Sequence, residues 1–253
     1  VNAPARPDLA HTVWPAVTPG APVLVPIGST EQHGPHLPLD TDSVIASAVA
    51  RRAAAGLPTA LVAPTVGYGA SGEHAGFPGT VSIGHAALRT VIVELVRSLS
   101  LWAGRVVLVN GHGGNTATLD TALALLRAEG HDAAWTGCAV VGGDAHAGRT
   151  ETSVMLHLDP DRVRLDAAVA GDTRPLADLL PDLMARGVRA VSPSGVLGDP
   201  TGASAEEGRR TVDAMVATSV RRITAWTVDS RGRLAEPERP PESRALGTEA
   251  VRR

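Results

Sequence analysis

Short runs of aliphatic residues, each closed by Gly or Asn, alternate along this chain with longer Ala-, Leu- and Arg-rich stretches whose apolar residues recur at helical spacing. This rhythm limits the fold more than any other feature. A strand followed by a helix, repeated in series, builds an α/β fold around a mostly parallel central sheet with helices on both faces. The expected strands are 22–27, 60–64, 105–110 and 132–141, and the expected helices are 42–55, 85–102, 115–130, 151–158 and 205–226. The acidic residues from Asp40 to Asp42 are expected to supply N-cap chemistry for the first helix. Pro and Gly recur from 159 to 204, which predicts irregular covering structure there. Only 2% of the residues are aromatic, so the core must rest on Ala, Val and Leu. Trp14, Trp102, Trp135 and Trp226 are expected at core or contact positions.

A single domain over residues 1–226 is expected, followed by a Pro-, Arg- and Glu-rich tail, 227–253, that reads as disordered. Net charge is −3, which gives no basic surface for nucleic acid. Every cationic side chain apart from His is Arg, so a Schiff-base lysine and a phosphate-loop lysine are both excluded. Cys138 is the one cysteine, which excludes an internal disulfide and any thiolate metal cluster. No apolar run approaches the ~18 residues that span a bilayer. The expectation is a cytoplasmic, soluble protein without membrane or nucleic-acid partners.

In open α/β sheets, ligands bind beyond the carboxyl ends of the strands, so chemistry is sought in the loops that follow them. After the first strand come Glu31, His33, His36, Asp40 and Asp42 within one turn-forming segment. After the third comes Asn110-Gly111-His112-Gly113-Gly114-Asn115, and after the fourth come Asp144, His146 and Glu151. Imidazole and carboxylate are the usual ligands of first-row metals where thiolate is absent. The surplus of carboxylates favours two ions sharing a water whose pKa falls into the neutral range. Glu73 and His74 lie in a Gly- and Pro-rich loop after the second strand, which suits substrate contact or a lid better than ligation. His11, His85, His131 and His157 stand outside these clusters and read as surface or packing residues.

With the loop carrying Glu31 and His33, the Asn110-Gly111-His112 segment, and His146-Ala147-Gly148 followed by Glu151-Thr152-Ser153, residues 22–158 resemble the creatininase family of metal-dependent amidohydrolases. That resemblance implies a creatininase-like three-layer sandwich. It implies Glu31, His33, Asp42 and His112 as metal ligands, with Asp42 bridging two ions, and His146 as the catalytic histidine on a flexible loop. One departure stands out: creatininase places a ligating glutamate two residues after the Asn-Gly-His histidine, where this chain has Gly114. Glu151 is then the candidate donor for the second ion, as ligand or general base. The metals implied are Fe(II), Zn(II) or Mn(II), and family members assemble as homo-oligomers.

Gly195 to Thr201 and Glu207 to Arg210 resemble one branch of the family, whose substrate is a modified ribosomal precursor peptide. The implied reaction cuts the bond before a decarboxylated, cross-linked C-terminal Val-Tyr pair and releases the cyclised fragment. His146 would protonate the departing nitrogen, and the amides of Gly113 and Gly114 could receive the oxyanion. The Gly-rich loop and the segment 188–202 would then form a groove for an extended chain. Two other readings compete. One is hydrolysis of a small cyclic amide or formamide, and the other is a metal-dependent binding protein that has lost catalysis, which only Gly114 favours.

Overall fold

In a computed structural model that describes residues 8–140 and 142–237, the aliphatic runs form one sheet. Strands β1 (Val23–Ile27), β2 (Leu61–Val62), β3 (Val106–Asn110) and β4 (Ala133–Gly137) lie in the order β2-β1-β3-β4, all parallel. Alternate residues serve opposite faces. Leu24, Val107, Val109 and Ala134 pack towards α1 (Thr41–Ala55), α4 (Arg149–Leu158) and α7 (Ala205–Ala225). Val23, Val25, Ile27, Val106, Leu108 and Trp135 pack towards α2 (Gly84–Leu99) and α3 (Thr116–Ala128). Each large aliphatic side chain buried this way contributes ~1.5–3 kcal/mol, and here aliphatics replace the missing aromatics.

The chain leaves β1 towards β2 on one side and later enters β3 on the other, so the order reverses between β1 and β3. Such a reversal opens a crevice at the strand ends. Ile27 pairs with Asn110, so both strands finish at one level and their loops emerge side by side.

Four local expectations differ from the structure. The segment 159–204 contains α5 (Leu176–Arg186) and the short α6 (Val188–Val191), with Pro181 inside α5. The cap at α1 is not made by a side chain: the Asp40 carboxylate accepts instead from Arg162 Nη1 at 3.0 Å, and Asp42 turns towards the histidines. β4 stops at Gly137 because its partner β3 ends opposite it at Asn110, and Val141 lies outside the described residues.

The tail is the fourth difference. Residues 227–237 fold back along the free edge of β4, where Trp135 N donates to Gly232 O and Leu234 N to Trp135 O, both at 2.9 Å. Leu234 is 1% exposed, and this apolar anchor with the ladder bonds holds the segment. The remainder of the expected tail, 238–253, lies outside the described residues. Of the tryptophans, Trp135 is buried, Trp102 and Trp226 are half-buried, and Trp14 is exposed on a short turn outside both core layers. Among the described residues no helix is long and apolar enough to cross a membrane.

Candidate metal centre

Each strand-end loop delivers its side chains to the crevice by a different local device. The β1 loop is closed by Glu31 N donating to Leu39 O at 2.9 Å, and it returns the chain to α1, whose first turn carries Asp42. His112 is held two residues beyond β3 because Asn110 Nδ2 donates to its carbonyl at 2.7 Å, while Asn115 braces Asn110 at 3.2 Å. Glu151 sits in the first turn of α4, where Oε2 accepts from Ala147 N at 2.6 Å.

These side chains converge. His33 Nε2 lies 3.2 Å from Asp42 Oδ1, and His112 Nδ1 lies 3.1 Å from Asp42 Oδ2. His112 Nε2 stands 3.2 Å from Glu31 Oε2, and His33 Nε2 stands 3.8 Å from Glu151 Oε2. Two donor sets result, Glu31-Asp42-His112 and His33-Asp42-Glu151, each with its ligand atoms within 4.8 Å of one another. Asp42 belongs to both and offers one oxygen to each. Glu31, His33 and His146 form a third grouping of the same span.

Glu31 supplies the test of whether cations fit. Its side chain is fully buried, yet neither carboxylate oxygen receives a hydrogen bond of proper geometry, although imidazole nitrogens stand at 3.2, 3.4 and 3.8 Å. A buried, unsatisfied carboxylate is costly unless a positive charge joins it. A nitrogen and oxygen donor set around such a group suits a first-row divalent ion.

Electrostatics point the same way. Burial is the largest influence on Glu31 and would raise it, but His112 and His74 together outweigh it and hold the carboxyl at about 2. Burial would likewise depress His33, yet Asp42 lifts it to about 10, and Glu31 and Asp42 lift His112 well above its ordinary value. Protons on these imidazoles thus supply the positive charge the carboxylates require. Glu151 is pushed up to about 7 by burial, and His146 is held well below its ordinary value by burial and by the charge on His33. His146 is therefore neutral, as is His74, which burial also lowers.

One assignment of protons satisfies its surroundings. Gln32 Oε1 accepts from Gly34 N at 2.9 Å, so the amide nitrogen is free to donate to His74 Nδ1 at 2.8 Å and Gly195 O at 3.1 Å. His146 Nε2 then donates to Gln32 O at 2.8 Å, leaving Nδ1 unprotonated and 3.8 Å from Glu31 Oε1. Sequence reasoning passed over Gln32, for which the only signal was its place between Glu31 and His33.

Two further expectations change. His146 is not on a loose loop: it exchanges backbone hydrogen bonds with Leu197, at 3.1 and 2.9 Å, and is buried. Ala147 beside it adopts φ 52°, a left-handed conformation that costs ~1–2 kcal/mol and is held by the Glu151 contact. Glu73 and His74 are part of the centre rather than a distant lid. His74 Nε2 is 3.4 Å from Glu31 Oε1, and Glu73 Oε1 is 3.7 Å from His112 Nε2. His11, His85, His131 and His157 lie elsewhere, against Asp8, Thr118, Glu129 and Arg52.

The centre forms the floor of a cavity of about 730 Å³. Gly113 and Gly114 border it on one side, and Leu176, Leu180, Leu183 and Met184 of α5 form an apolar wall on another.

Comparison with known proteins now decides the family. The profile described as Creatininase, creatinine amidohydrolase, matches residues 10–223. The chain belongs to the creatininase family. It is thus a metal-dependent hydrolase of C–N bonds. The mycofactocin precursor peptide peptidase of Mycolicibacterium smegmatis is 58% identical over 217 residues, 84% of this chain and 88% of that protein. The protein of the same name from Mycobacterium tuberculosis strain H37Rv is 54% identical over 229 residues, 87% of this chain and 90% of that one. The creatinine amidohydrolase of Pseudomonas putida is 33% identical over 77% of this chain and 85% of that enzyme. Among solved structures, a manganese creatininase superposes with a TM-score of 0.72 at 28% identity, covering 88% of this chain and 99% of that one. A variant of creatininase described as Zn-Zn type gives 0.73 at the same identity, covering 88% and 98%. The family carries the expected sandwich, and the four-stranded parallel sheet with its two helical layers is that architecture in this chain.

Proposed function

We propose that this creatininase-family hydrolase is a peptidase of the mycofactocin precursor peptide, cutting the bond before its decarboxylated, cross-linked C-terminal Val-Tyr pair. The observation that carries the reading is the cavity, with paired donor sets on its floor and an apolar helix as its wall. The high identity to proteins of that name supports the choice of substrate. An apolar wall suits the aromatic body of the product fragment, which lacks a terminal carboxylate after decarboxylation and carries its charge on the amine that hydrolysis frees.

Glu31, Asp42 and His112 would hold one ion and His33, Asp42 and Glu151 the other, drawn from Fe(II), Zn(II) or Mn(II). When bound, such ions supply Lewis acidity to the scissile carbonyl and lower the pKa of water. The residues of the chain do the rest. His146, neutral and with Nδ1 unprotonated, accepts a proton at that atom and returns it to the departing nitrogen. Gln32 and the Leu197 backbone fix the imidazole for that exchange. The amides of Gly113 and Gly114, at the cavity edge, would face the oxyanion. The reading includes a homo-oligomer in the cytoplasm, for which the exposed Leu101 and Trp14 offer apolar contact and the single buried thiol of Cys138, pushed up to about 12 by burial, suits a reducing compartment.

The test is mass spectrometry of the cross-linked precursor peptide incubated with protein stripped of metal and reloaded anaerobically with Fe(II), Zn(II) or Mn(II). Release of the Val-Tyr-derived fragment is expected. No release with any metal, despite two equivalents bound per chain, would overturn the peptidase reading and favour a small cyclic amide as substrate.

A further inference from the structure

Gly114 is the point where this chain departs from the creatininase ligand pattern, and the structure shows what stands in the space a side chain would use there. A Cβ placed on residue 114 would meet Ala70 O at 2.5 Å and Glu73 Oε1 at 2.6 Å, and would run into His112 Nε2. The absence of a side chain at 114 therefore lets the loop 70–74 close over the β3 loop. It brings a carboxylate with it. Glu73 lies in the short turn Gly72–His74, and its Oε1 is 3.7 Å from His112 Nε2, on the cavity side of the Glu31-Asp42-His112 set.

The same turn is tied to the centre at two more points. His112 Nε2 lies 3.2 Å from Ala70 O, and His74 Nε2 lies 3.4 Å from Glu31 Oε1. Ala70 N in turn donates to Asn115 Oδ1 at 2.9 Å, so the loop is fastened to the segment that carries His112. Position and attachment separate Glu73 from an ordinary rim carboxylate.

We propose that Glu73 is the fourth protein ligand of the ion held by Glu31, Asp42 and His112, delivered from the loop after β2 through the space that Gly114 leaves open. The assignment rests on the metallohydrolase reading and goes beyond it by naming a donor from a fourth strand-end loop. In this arrangement the loop 70–74, already fastened to the His112 segment, completes both the floor of the cavity and the ion site.

The experiment is titration of metal-free protein with Co(II), followed by visible absorption and by metal analysis after desalting. Wild-type protein is expected to bind two equivalents. E73Q keeps the shape of the side chain, which is 32% exposed, and should retain its far-UV circular dichroism. It should hold one of the two ions about 10–100-fold more weakly, with a changed absorption band for that ion, since even outer partners of a metal ligand cost that much when removed. Gly114→Ala changes no ligand residue but presses a methyl group against both the Glu73 carboxylate and His112 Nε2, and should weaken the same ion. Two equivalents in E73Q with wild-type affinity and spectrum would overturn the assignment, as would an unaffected Gly114→Ala protein. E151Q separates the readings: it should lose the other ion. If E151Q loses an ion while E73Q does not, only the role of Glu73 falls. If wild-type protein binds no metal at all, the metallohydrolase reading falls with it.

Discussion

His146 and Leu197 are locked by reciprocal backbone hydrogen bonds, so the imidazole is presented by a two-stranded clasp and not by a swinging loop. A fixed, neutral imidazole facing Glu31 and outside both donor sets that share Asp42 is placed to carry a proton. His146→Ala is therefore expected to lower kcat by about 10²–10⁴-fold while metal content stays near that of wild type. Metal analysis beside steady-state kinetics checks this, and loss of an ion would make His146 a ligand.

Metal uptake should release protons. In the metal-free protein His33 titrates at about 10 and His112 well above its ordinary value, because Asp42 and Glu31 hold their protons. Both must be neutral to ligate, so at pH 7 binding displaces protons, and the number displaced falls as pH rises towards 10. Calorimetry in buffers of different ionisation heat reads that number directly. A buffer-independent heat at pH 7 would contradict the assignment of these imidazoles.

Glu151 gives a sign that can be tested on stability. Its folded value of about 7 lies above the ordinary 4.5, so the fold favours the neutral carboxyl, and that contribution is lost as pH rises through 7. Metal-free E151Q should be at least as heat-stable as metal-free wild type at pH 8, while binding one ion fewer. A lower melting temperature without any change in metal content would assign Glu151 a packing role instead.

The α5 wall should act on substrate binding alone. Leu180 is 45% exposed and lines the cavity. Covering the exposed part of such a side chain with an apolar ligand contributes ~0.7–1.4 kcal/mol, roughly threefold to tenfold in affinity. Leu180→Asp should raise KM on that scale, with kcat and metal content little changed. An unaltered KM for the precursor peptide would place the substrate elsewhere in the cavity.

Leu234 should matter to folding in spite of its place near the end of the described chain. Deleting a fully buried leucine to alanine costs about 2–5 kcal/mol. Leu234→Ala should lower stability by that amount in denaturant titration, whereas a change within error would mean the edge segment contributes nothing.

Much of this architecture was legible before any coordinates. The strands at Val23 and Val106 announce themselves because a strand buried on both faces is almost wholly aliphatic, and α7 opens at Ser204, whose Oγ accepts from Glu207 N. α5 was hidden by Pro175 and Pro181: Pro175 stands at the N-cap, where it suits a helix start, but Pro181 lies inside the helix and removes a backbone hydrogen bond, so the pattern reads as a break. The edge segment after Val228 was hidden because one leucine among charges looks like no strand. At the centre, Glu31, His33, Asp42 and His112 could be named as a set from three loops. Gln32 and Glu73 could not be assigned their places, because their surroundings depend on contacts 39 residues or more away in sequence.

The backbone of Gly111 rests so closely on that of Asp42 that a methyl group between them would collide with the Asp42 carbonyl. The end of β3 and the start of α1 are thereby wedged together, and the Asp42 carboxylate has its position set when the sheet and helix pack. On the two-ion reading, an exchange of one first-row ion for another would leave that frame in place and alter the reactivity inside it, so supply of the metal, more than affinity, would choose the occupant.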